Sequence, residues 1–299
     1  MSEKLNFVFF GTPDVASETL QILKANGYLP SLIITSPDKP QGRKMLITPP
    51  PVKVWAEENN IPFIQPEKLD KKEIRDVLRT LGSRDGDGQR KFSAENFSGE
   101  QNITDFFLVV AYGKILSEDI LDIPKLGSLN IHYSLLPKYR GASPVESAIL
   151  NGETETGVTI QKMKFKMDAG PIIAQENVKI FEKEKASELR TRLIKIGGEL
   201  LVKTLPEFIN GKIKEIDQNE SEVTFCKKIQ KEDGLVDLSI DAIKNYYKFR
   251  AYAAWPRTFF FKNGKRIIIT DAALENNQFI IKKVLPEGKK EVKWEEFNR

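Results

Sequence analysis

Residues 5–27 read LNFVFFGTPDVASETLQILKANG, and this stretch decides the class of fold. Residues 5–10 are mostly apolar and predict a buried strand, while the next four residues, GTPD, predict a turn. Thr12 suits the N-cap of a following helix, Pro13 its first position, and the Asp14 carboxylate its positive end. Apolar side chains then recur at helical spacing. The stretch therefore predicts a strand, a turn and a helix.

The same alternation continues through the first 210 residues. Apolar strands that alternate with helices are typical of a parallel, doubly wound α/β sheet. Ligands bind such a sheet beyond the carboxyl ends of its strands, so we expect the site in the loops after Phe10, Thr35, Ala111 and His132. The predicted strands are 5–10, 32–35, 62–64, 106–111, 129–132, 157–163 and 172–180, and the predicted helices after the first are 52–59, 71–81 and 185–209.

The pattern changes after Asn210-Gly211, where the long helix ends. We predict an α/β domain in residues 1–210, a linker in 211–222 and a second domain in 223–299. The second domain contains short strands separated by turn signals, which is typical of a small antiparallel, OB-like β-barrel. Its predicted strands are 223–229, 258–261, 266–270 and 279–284.

Residues 83–103 interrupt the alternation. They are polar and show no periodicity, so we predict a mobile surface insertion. Because the segment joins a helix to the following strand, it should emerge at the amino edge of the sheet, away from the expected site.

Composition limits the classes of function. A chain of 299 residues with 40% hydrophobic content can bury a sizeable core. Its longest strongly apolar stretch, 106–111, is too short to cross a bilayer, and no signal sequence follows Met1, so we expect a cytoplasmic protein. With Cys226 and His132 as the only residues of their types, we expect neither a disulfide nor a metal site. Gly-x-Gly-x-x-Gly and Walker patterns are also absent, which argues against dinucleotide and ATP binding.

Basic residues are concentrated near the C-terminus. The whole chain carries 46 Lys and Arg against 42 Asp and Glu, a formal net charge of +4. Residues 244–293 alone hold 12 basic and 4 acidic side chains, a net charge of +8. Such an excess suits either a solvated surface or a surface that follows phosphates, so charge alone leaves both interpretations open.

The single histidine lies within the run Asn130-Ile131-His132-Tyr133-Ser134-Leu135-Leu136-Pro137. Because side chains alternate along a strand, Asn130 and His132 point to the same face, with an N–H donor beside a group that titrates near neutral pH. Asp168 precedes the tight sequence Ala169-Gly170-Pro171, which can return a carboxylate to that edge. Taken alone, a lone histidine is more often structural, and such an aspartate is more often a turn residue.

Several motifs occur in an order that resembles the folate-dependent formyltransferases. They are Phe9-Phe10-Gly11-Thr12-Pro13, Val110-Ala111-Tyr112-Gly113-Lys114-Ile115-Leu116, Asn130-x-His132 with Ser-Leu-Leu-Pro, Tyr139-Arg140-Gly141, residues 151–159 (NGETETGVT) and Met167-Asp168-Ala169-Gly170. The resemblance runs nearly from end to end. It implies a Rossmann-like catalytic domain in residues 1–210 that takes a one-carbon unit from 10-formyltetrahydrofolate without a metal.

Two features resemble the family members that formylate an aminoacyl-tRNA. Residues 36–44 (SPDKPQGRK) resemble a basic loop that grips the acceptor stem, and residues 228–234 (KIQKEDG) with Arg250-Ala251-Tyr252 and Trp255-Pro256 resemble the C-terminal domain of those members. The resemblance implies initiator methionyl-tRNA as acceptor, a role in translation initiation, a cytoplasmic monomer and a tRNA-binding C-terminal domain.

The resemblance also implies residue roles. Asn130 and His132 would donate to the oxyanion formed when an amine attacks the formyl carbon, while Asp168 orients His132 and helps to move the proton. The implied folate-binding residues are Ser134, Leu135, Leu136 and Pro137, and the implied tRNA-binding residues are Lys39, Arg43, Lys44 and Arg140.

The chain departs from the family pattern in three places. Residues 83–103 are extra, Tyr133 replaces the usual proline, and residues 164–166 (KFK) replace a more acidic stretch. For Tyr133 we favour a harmless substitution at the rim of the folate site over an altered fit of the folate loop. Two other functions stay open: an amino-sugar nucleotide formyltransferase that uses the same three residues, and a noncatalytic RNA-binding protein on the same fold.

Arg43→Ala is expected to raise KM for the tRNA by roughly tenfold, the size of one lost Arg contact, and to leave KM for the folate donor nearly unchanged. Steady-state kinetics with each substrate varied in turn measure both constants. Arg79→Ala, in the predicted helix 71–81, is the matched control. Equal effects of Arg43→Ala on both substrates would remove it from the tRNA-binding residues.

Overall fold

The computed structural model describes residues 5–42, 45–82, 104–239 and 241–299. Over the first half of the chain, strands and helices alternate. The elements are β1 (Phe7–Gly11), α1 (Asp14–Ala25), β2 (Leu32–Ile34), β3 (Lys39–Gln41), β4 (Leu46–Thr48), α2 (Pro51–Glu58), β5 (Phe63–Ile64), α3 (Lys71–Gly82), β6 (Phe106–Val110), α4 (Glu118–Leu121), β7 (Ser128–His132), β8 (Arg140–Gly141) and α5 (Pro144–Leu150). Arg43, Lys44 and the predicted insertion 83–103 lie outside the described residues.

The second half continues with two long strands and the longest helix. The elements are β9 (Glu155–Lys162), β10 (Ile172–Lys179), α6 (Ala186–Ile209), β11 (Phe225–Cys226), α7 (Ala242–Ala251), β12 (Phe259–Lys262), β13 (Lys265–Glu275), β14 (Gln278–Pro286), β15 (Val292–Lys293) and α8 (Trp294–Phe297). No described helix combines the length and the apolar content needed to cross a membrane.

The central sheet contains seven strands in the order β10-β9-β7-β6-β1-β2-β5. β1 pairs in parallel with β2 and β6, β2 with β5, and β6 with β7, whereas β9 runs antiparallel to β7. The strand order reverses at β1, as in doubly wound folds, and such a reversal opens a crevice beyond the carboxyl ends of the strands. The predicted α/β class with a parallel-dominated sheet is confirmed.

The loops that follow β1, β2 and β6 meet at one edge of this sheet. Thr12 lies in the first loop, and its hydroxyl contacts the Ser36 hydroxyl and the carbonyl oxygen of Tyr112, each at 3.1 Å. The prediction that Thr12 caps α1 was wrong, because its hydroxyl is engaged by the neighbouring loops. The helix begins at Asp14, and Pro13 occupies the N-cap position without a side-chain hydrogen bond.

Aromatic side chains fill much of the core of the central sheet. Phe10 is fully buried, with its ring centroid 5.0 Å from that of Phe107 and 5.4 Å from that of Tyr112. Phe7 stacks on Phe106 at 5.1 Å. Burial raises the pKa of Tyr112 to about 12, so its hydroxyl is neutral at physiological pH. These contacts anchor β1 and β6, whose ends carry two of the site loops.

The C-terminal part contains an antiparallel sheet in the order β12-β13-β14-β15. Helix α7 contributes Tyr246 and Phe249 to the same core as Phe260, Ile267 and Val284. The predicted strand 223–229 is present only as the two-residue β11, which pairs with β8.

The described residues divide into two compact units that alternate along the chain. Unit 1 comprises Met1–His132, Thr159–Gln175 and Ile194–Gln218. Unit 2 comprises Tyr133–Val158, Glu176–Leu193 and Asn219–Arg299. The predicted domain boundaries, with a linker at 211–222, stay a prediction.

Phe10→Ala is expected to lower the free energy of unfolding by about 3–5 kcal/mol, because it leaves a cavity between two buried aromatic rings. Chemical denaturation of the variant and the wild type measures this difference. Phe225→Ala, the same change at a side chain that is 71% exposed, should change stability by less than about 0.5 kcal/mol. A similar loss in both variants would contradict the assignment of Phe10 to the core.

Candidate functional site

The carboxyl end of β7 is paired with β9 in an antiparallel register. Asn130 lies opposite Gln161, and His132 lies opposite Thr159. Directly opposed side chains in such a pair have Cβ atoms about 4.5–5.5 Å apart. Because residues two apart on a strand point the same way, all four side chains share one face of the sheet. The pairing therefore collects polar groups at the edge where the sequence predicts the site.

Asp168 lies between β9 and β10, and its carboxylate reaches His132. The distance from Nδ1 of His132 to Oδ2 of Asp168 is 3.7 Å, which suits an ion pair and is too long for a hydrogen bond. His132 is 6% exposed and the Asp168 side chain 17%. Their interaction is screened less than that of a surface pair. The structure thus brings together Asn130, His132 and Asp168, all within unit 1.

The backbone around Asp168 aims its carboxylate. Asp168 has a φ of +49°, a left-handed conformation that is uncommon outside glycine. Gln218 supports it, because its Nε2 donates to the carbonyl oxygens of Asp168 at 2.8 Å and of Gly170 at 2.7 Å. A Cβ at Gly170 would lie 1.7 Å from the carbonyl oxygen of Lys162, so only glycine fits. Gln218 lies within the predicted linker, where sequence reasoning gave it no role.

Gln161 connects Asn130 with Asp168 through hydrogen bonds. Its Nε2 donates to Oδ1 of Asn130 at 3.1 Å and to Oδ1 of Asp168 at 2.9 Å. Nδ2 of Asn130 donates to the carbonyl oxygen of Val109 at 3.0 Å, so the Asn130 amide is oriented from both sides. Sequence reasoning missed Gln161. The available signal was a polar side chain inside the apolar strand 157–163, but the strand register was unknown.

A cleft of about 330 Å³ opens beside this cluster in unit 1. Asn130 and His132 are not part of its wall, but each contacts a wall residue, Gln161 or Asp168. Apolar walls with a few polar groups are typical of small-molecule sites. The wall consists of Lys114, Ile115, Leu116, Gln161, Met163, Lys164, Phe165, Met167 and Asp168.

Lys114 brings a positive charge to this wall. Its Nζ donates to the carbonyl oxygens of Pro66 at 2.6 Å and of Glu67 at 2.9 Å. Burial lowers the pKa of Lys114, and the charge of Lys39 lowers it further, against the opposing effect of Glu67. The predicted tRNA-binding residue Lys39 is therefore within electrostatic reach of a residue that lines the cleft.

The predicted basic loop is in part a short hairpin of β3 and β4. Lys39 is exposed at the start of β3. At its base, Asp38 pairs with Lys53 at 2.7 Å. Three apolar side chains face solvent: Met45, Leu46 and Ile47, at 66%, 64% and 67% exposure. The hairpin presents cationic and apolar surface together.

The predicted folate loop, Ser134 to Pro137, belongs to unit 2 and follows directly on β7. Ser134 is buried, and its Oγ donates to the carbonyl oxygen of Lys138 at 2.6 Å. The other three residues line a cleft of about 390 Å³, together with Lys138, Tyr139, Glu153, Glu155, Thr156 and Glu222. Tyr133 is only 9% exposed, so the expectation that it stands at a rim was wrong.

Arg140 occupies an interior position in unit 2. It is 1% exposed, and its guanidinium donates to Oε1 of Glu220 at 2.7 Å. The buried Arg140 side chain is therefore engaged by Glu220, whose own side chain is 61% exposed, and its contact with tRNA stays a prediction without support from this position.

Family models match most of the chain. A model described as formyl transferase matches residues 4–205, and one described as formyl transferase, C-terminal domain, matches residues 228–282. A methionyl-tRNA formyltransferase from Thermotoga maritima is 41% identical over 252 residues, 84% of this chain and 74% of that protein. One from Chloroflexus aggregans is 40% identical over 270 residues, 90% of this chain and 81% of that protein.

Solved structures share the fold at low sequence identity. An N-formyltransferase from Helicobacter canadensis, in complex with folinic acid and dTDP-3-aminofucose, superposes with a TM-score of 0.64 at 19% identity, covering 91% of this chain and 88% of the other. A methionyl-tRNA formyltransferase from Clostridium thermocellum gives 0.60 at 15% identity, covering 94% and 98%.

Gln218→Leu is expected to loosen the turn at Asp168, because the turn loses both donated hydrogen bonds. Hydrogen–deuterium exchange should speed up at residues 168–170 and stay unchanged in β1 and β6. Each hydrogen bond contributes about 0.5–1.5 kcal/mol, so the loss of two should raise local exchange by roughly 5- to 150-fold. Gln278→Leu, at an exposed position, is the control. Unchanged exchange at 168–170 would show that other contacts hold the turn.

Proposed function

Because the chain belongs to the formyl transferase family, we propose that it transfers the formyl group of 10-formyltetrahydrofolate to the amino group of initiator methionyl-tRNA. The observation that carries this proposal is the unit 1 cluster in which His132 faces Asp168 and Asn130 shares their face of the sheet. The names of the relatives from Thermotoga maritima and Chloroflexus aggregans support the acceptor. The product would be formylmethionyl-tRNA for translation initiation.

The unit 1 cleft suits the reacting end of the folate. Ile115, Leu116 and Phe165 offer apolar surface to a flat ring system, and Asp168 offers a carboxylate at its edge. The cleft in unit 2 has apolar surface from Leu135, Leu136 and Pro137, which supports the predicted folate-binding role of these three residues but not that of the buried Ser134.

Asn130 and His132 are assigned to the developing oxyanion. The amine nitrogen bonds to the formyl carbon, and the carbonyl electron pair moves onto oxygen. Nδ2 of Asn130 carries two hydrogens, and one donates to the carbonyl oxygen of Val109. We assign the other to the formyl oxygen, with a ring N–H of His132 as second donor. Each such donor contributes a factor of about 10²–10³ to kcat.

Asp168 and His132 are assigned to proton transfer. The attacking amine must lose a proton, and N10 of the folate must gain one as its bond to the formyl carbon breaks. Asp168 accepts the first proton directly or through water, and the pair delivers a proton to N10. The low exposure of both side chains limits competing exchange with bulk water.

Exposed cations support the proposed tRNA contacts. Lys39 lies on the exposed hairpin, and Arg43 and Lys44 follow it in the sequence. Exposed lysines of the C-terminal part are Lys262, Lys265, Lys282 and Lys283 on the antiparallel sheet and Lys289 and Lys290 between β14 and β15. Phosphate contacts release counterions, so we expect tRNA affinity to fall steeply with salt concentration.

His132→Ala is expected to lower kcat by about 10²–10³, the cost of losing an oxyanion donor, with little change in affinity for methionyl-tRNA. Single-turnover formylation and a filter-binding assay measure the two effects. Asn210→Ala, at an exposed residue outside the site, is the control and should retain wild-type kcat. Unchanged kcat in His132→Ala would remove His132 from the catalytic residues, and a wild type that binds methionyl-tRNA without formylating it would be a binding protein rather than an enzyme.

The acceptor is tested separately on the wild-type protein. Formyl transfer is assayed in parallel on methionyl-tRNA and on a nucleotide-linked 4-amino sugar. We expect turnover of the tRNA alone, because a sugar pocket needs no extended cationic surface. Faster turnover of the amino sugar would overturn the proposed acceptor and leave the formyl donor in place.

A further inference from the structure

A buried glutamine on β9 occupies an unusual place in the site. Gln161 is 1% exposed, lies opposite Asn130 in the strand register and is part of the wall of the unit 1 cleft. Its side-chain amide donates to Asn130 and to Asp168. One amide therefore contacts both Asn130, which is assigned to stabilise the oxyanion, and Asp168, which is assigned to transfer the proton.

The orientation of this amide is determined by its partners. Oδ1 of Asn130 accepts hydrogen bonds only, and so does an ionised Asp168 carboxylate. Rotating the Gln161 amide by half a turn would point Oε1 at two acceptor oxygens, which repel it. The amide therefore presents its nitrogen to both residues and restrains their positions relative to each other.

The same orientation leaves one polar atom unsatisfied. Oε1 of Gln161 is buried and accepts no hydrogen bond from the described residues. A buried acceptor without a partner costs folding free energy, whereas an apolar side chain of similar length would avoid this cost. Stability alone therefore does not favour glutamine at this position, which points to a role in the reaction.

We propose that Gln161 is a positioning residue for formyl transfer, which holds the Asn130 amide and the Asp168 carboxylate in register on either side of the reacting carbon. This inference rests on the proposed function. Gln161 acts through these two residues: Asn130 keeps its N–H directed at the formyl oxygen, and Asp168 stays beside His132. Rate depends on such placement, since a misplacement of about 1 Å can cost a factor of 10².

The chain offers a matched control in Gln65. Its Nε2 also donates twice, to the carbonyl oxygen of Ser36 at 2.7 Å and to Oδ1 of Asp38 at 2.7 Å. Both glutamines thus donate to one amide-type oxygen and one aspartate. Gln65 differs because neither Ser36 nor Asp38 belongs to the cluster of Asn130, His132 and Asp168. Gln65→Met and Gln161→Met remove equivalent bonds in unit 1.

The first test does not depend on any enzymatic activity. Because His132 is the only histidine in the chain, its imidazole resonances can be assigned without ambiguity in an NMR spectrum. Gln161→Met should shift them, because the Asp168 carboxylate beside the ring loses a donor and moves. Gln65→Met should leave them in place. Unshifted resonances in Gln161→Met would overturn the inference even if the protein is a formyltransferase.

The second test compares kcat with thermal stability. Gln161→Met should lower kcat by about 10- to 100-fold, less than the loss of an oxyanion donor, with a smaller loss of Tm than Gln65→Met because it also removes the unsatisfied Oε1. Gln65→Met should show the opposite pattern, a larger loss of Tm with wild-type kcat at saturating tRNA, because its partners Ser36 and Asp38 belong to the predicted tRNA-binding segment 36–44. If kcat of Gln161→Met is unchanged, or falls only together with a Tm loss as large as that of Gln65→Met, Gln161 has a structural role.

Two further variants test the donor role of Gln161 and its dependence on Asn130. Gln161→Glu keeps the shape of the side chain but cannot donate when ionised, so it should lose at least as much kcat as Gln161→Met. It replaces that variant if Gln161→Met does not fold.

In the Asn130→Ala background, Gln161→Met should lower kcat by a clearly smaller factor than in the wild type, because part of its effect passes through Asn130. Fully additive losses would contradict the positioning role. If the wild type prefers an amino sugar, the same kinetics are measured with that acceptor. The proposed acceptor and the positioning role of Gln161 can therefore fail independently of each other.

Discussion

The antiparallel pairing of β9 with β7 is the constraint on which the site depends. It places Gln161 opposite Asn130, and the turn that follows β9 carries Asp168 back toward His132. A shift of one residue would turn every side chain of β9 to the opposite face of the sheet. Val158 and Ile160 are fully buried on one face of β9, and Thr159 and Gln161 are buried on the other. A shift would therefore exchange apolar and polar side chains between two buried faces, which disfavours it. The hydrophobic core thus sets the geometry of the polar cluster.

Several features of the site cost stability. Asp168 and Ala111 both adopt a positive φ, at +49° and +46°, and the side-chain oxygen Oε1 of Gln161 is buried and accepts no hydrogen bond from the described residues. Backbone strain of this kind persists only where the surroundings enforce it, and it tends to collect at functional sites. Here Gln218 and Gly170 enforce it at Asp168. The same residues that strain the turn also direct its carboxylate.

Much of the fold follows from local sequence, whereas the contacts that complete the site do not. Buried strands such as β1 and β6 are continuous apolar runs, so periodicity alone identifies them. The resemblance predicts a basic loop at residues 36–44, yet residues 39–41 form β3, and Pro40 fits there because a two-stranded hairpin leaves an edge for proline. The partner of Gln161 depends on strand register between distant segments, which no local pattern contains.

The burial of two residues also depends on distant contacts and was predicted wrongly. Arg140 and Tyr133 look like surface residues in the sequence, and both are buried in the structure. Arg140 is tolerated inside because Glu220, eighty positions later in the chain, supplies the opposite charge. Helix α7 was not predicted, because its aromatic residues are interspersed with lysine and asparagine in a short segment that shows no clear helical periodicity. Burial of such residues is decided by tertiary partners rather than by the residues themselves.

The hairpin of β3 and β4 has a thermodynamic consequence. Its side chains Met45, Leu46 and Ile47 hold apolar surface in contact with water, and a monomeric protein gains nothing from such a patch. Any partner that covers the hairpin removes this surface from solvent, and the association then carries a negative change in heat capacity in addition to its electrostatic dependence on salt. Calorimetric enthalpies would accordingly vary with temperature more strongly than phosphate contacts alone produce.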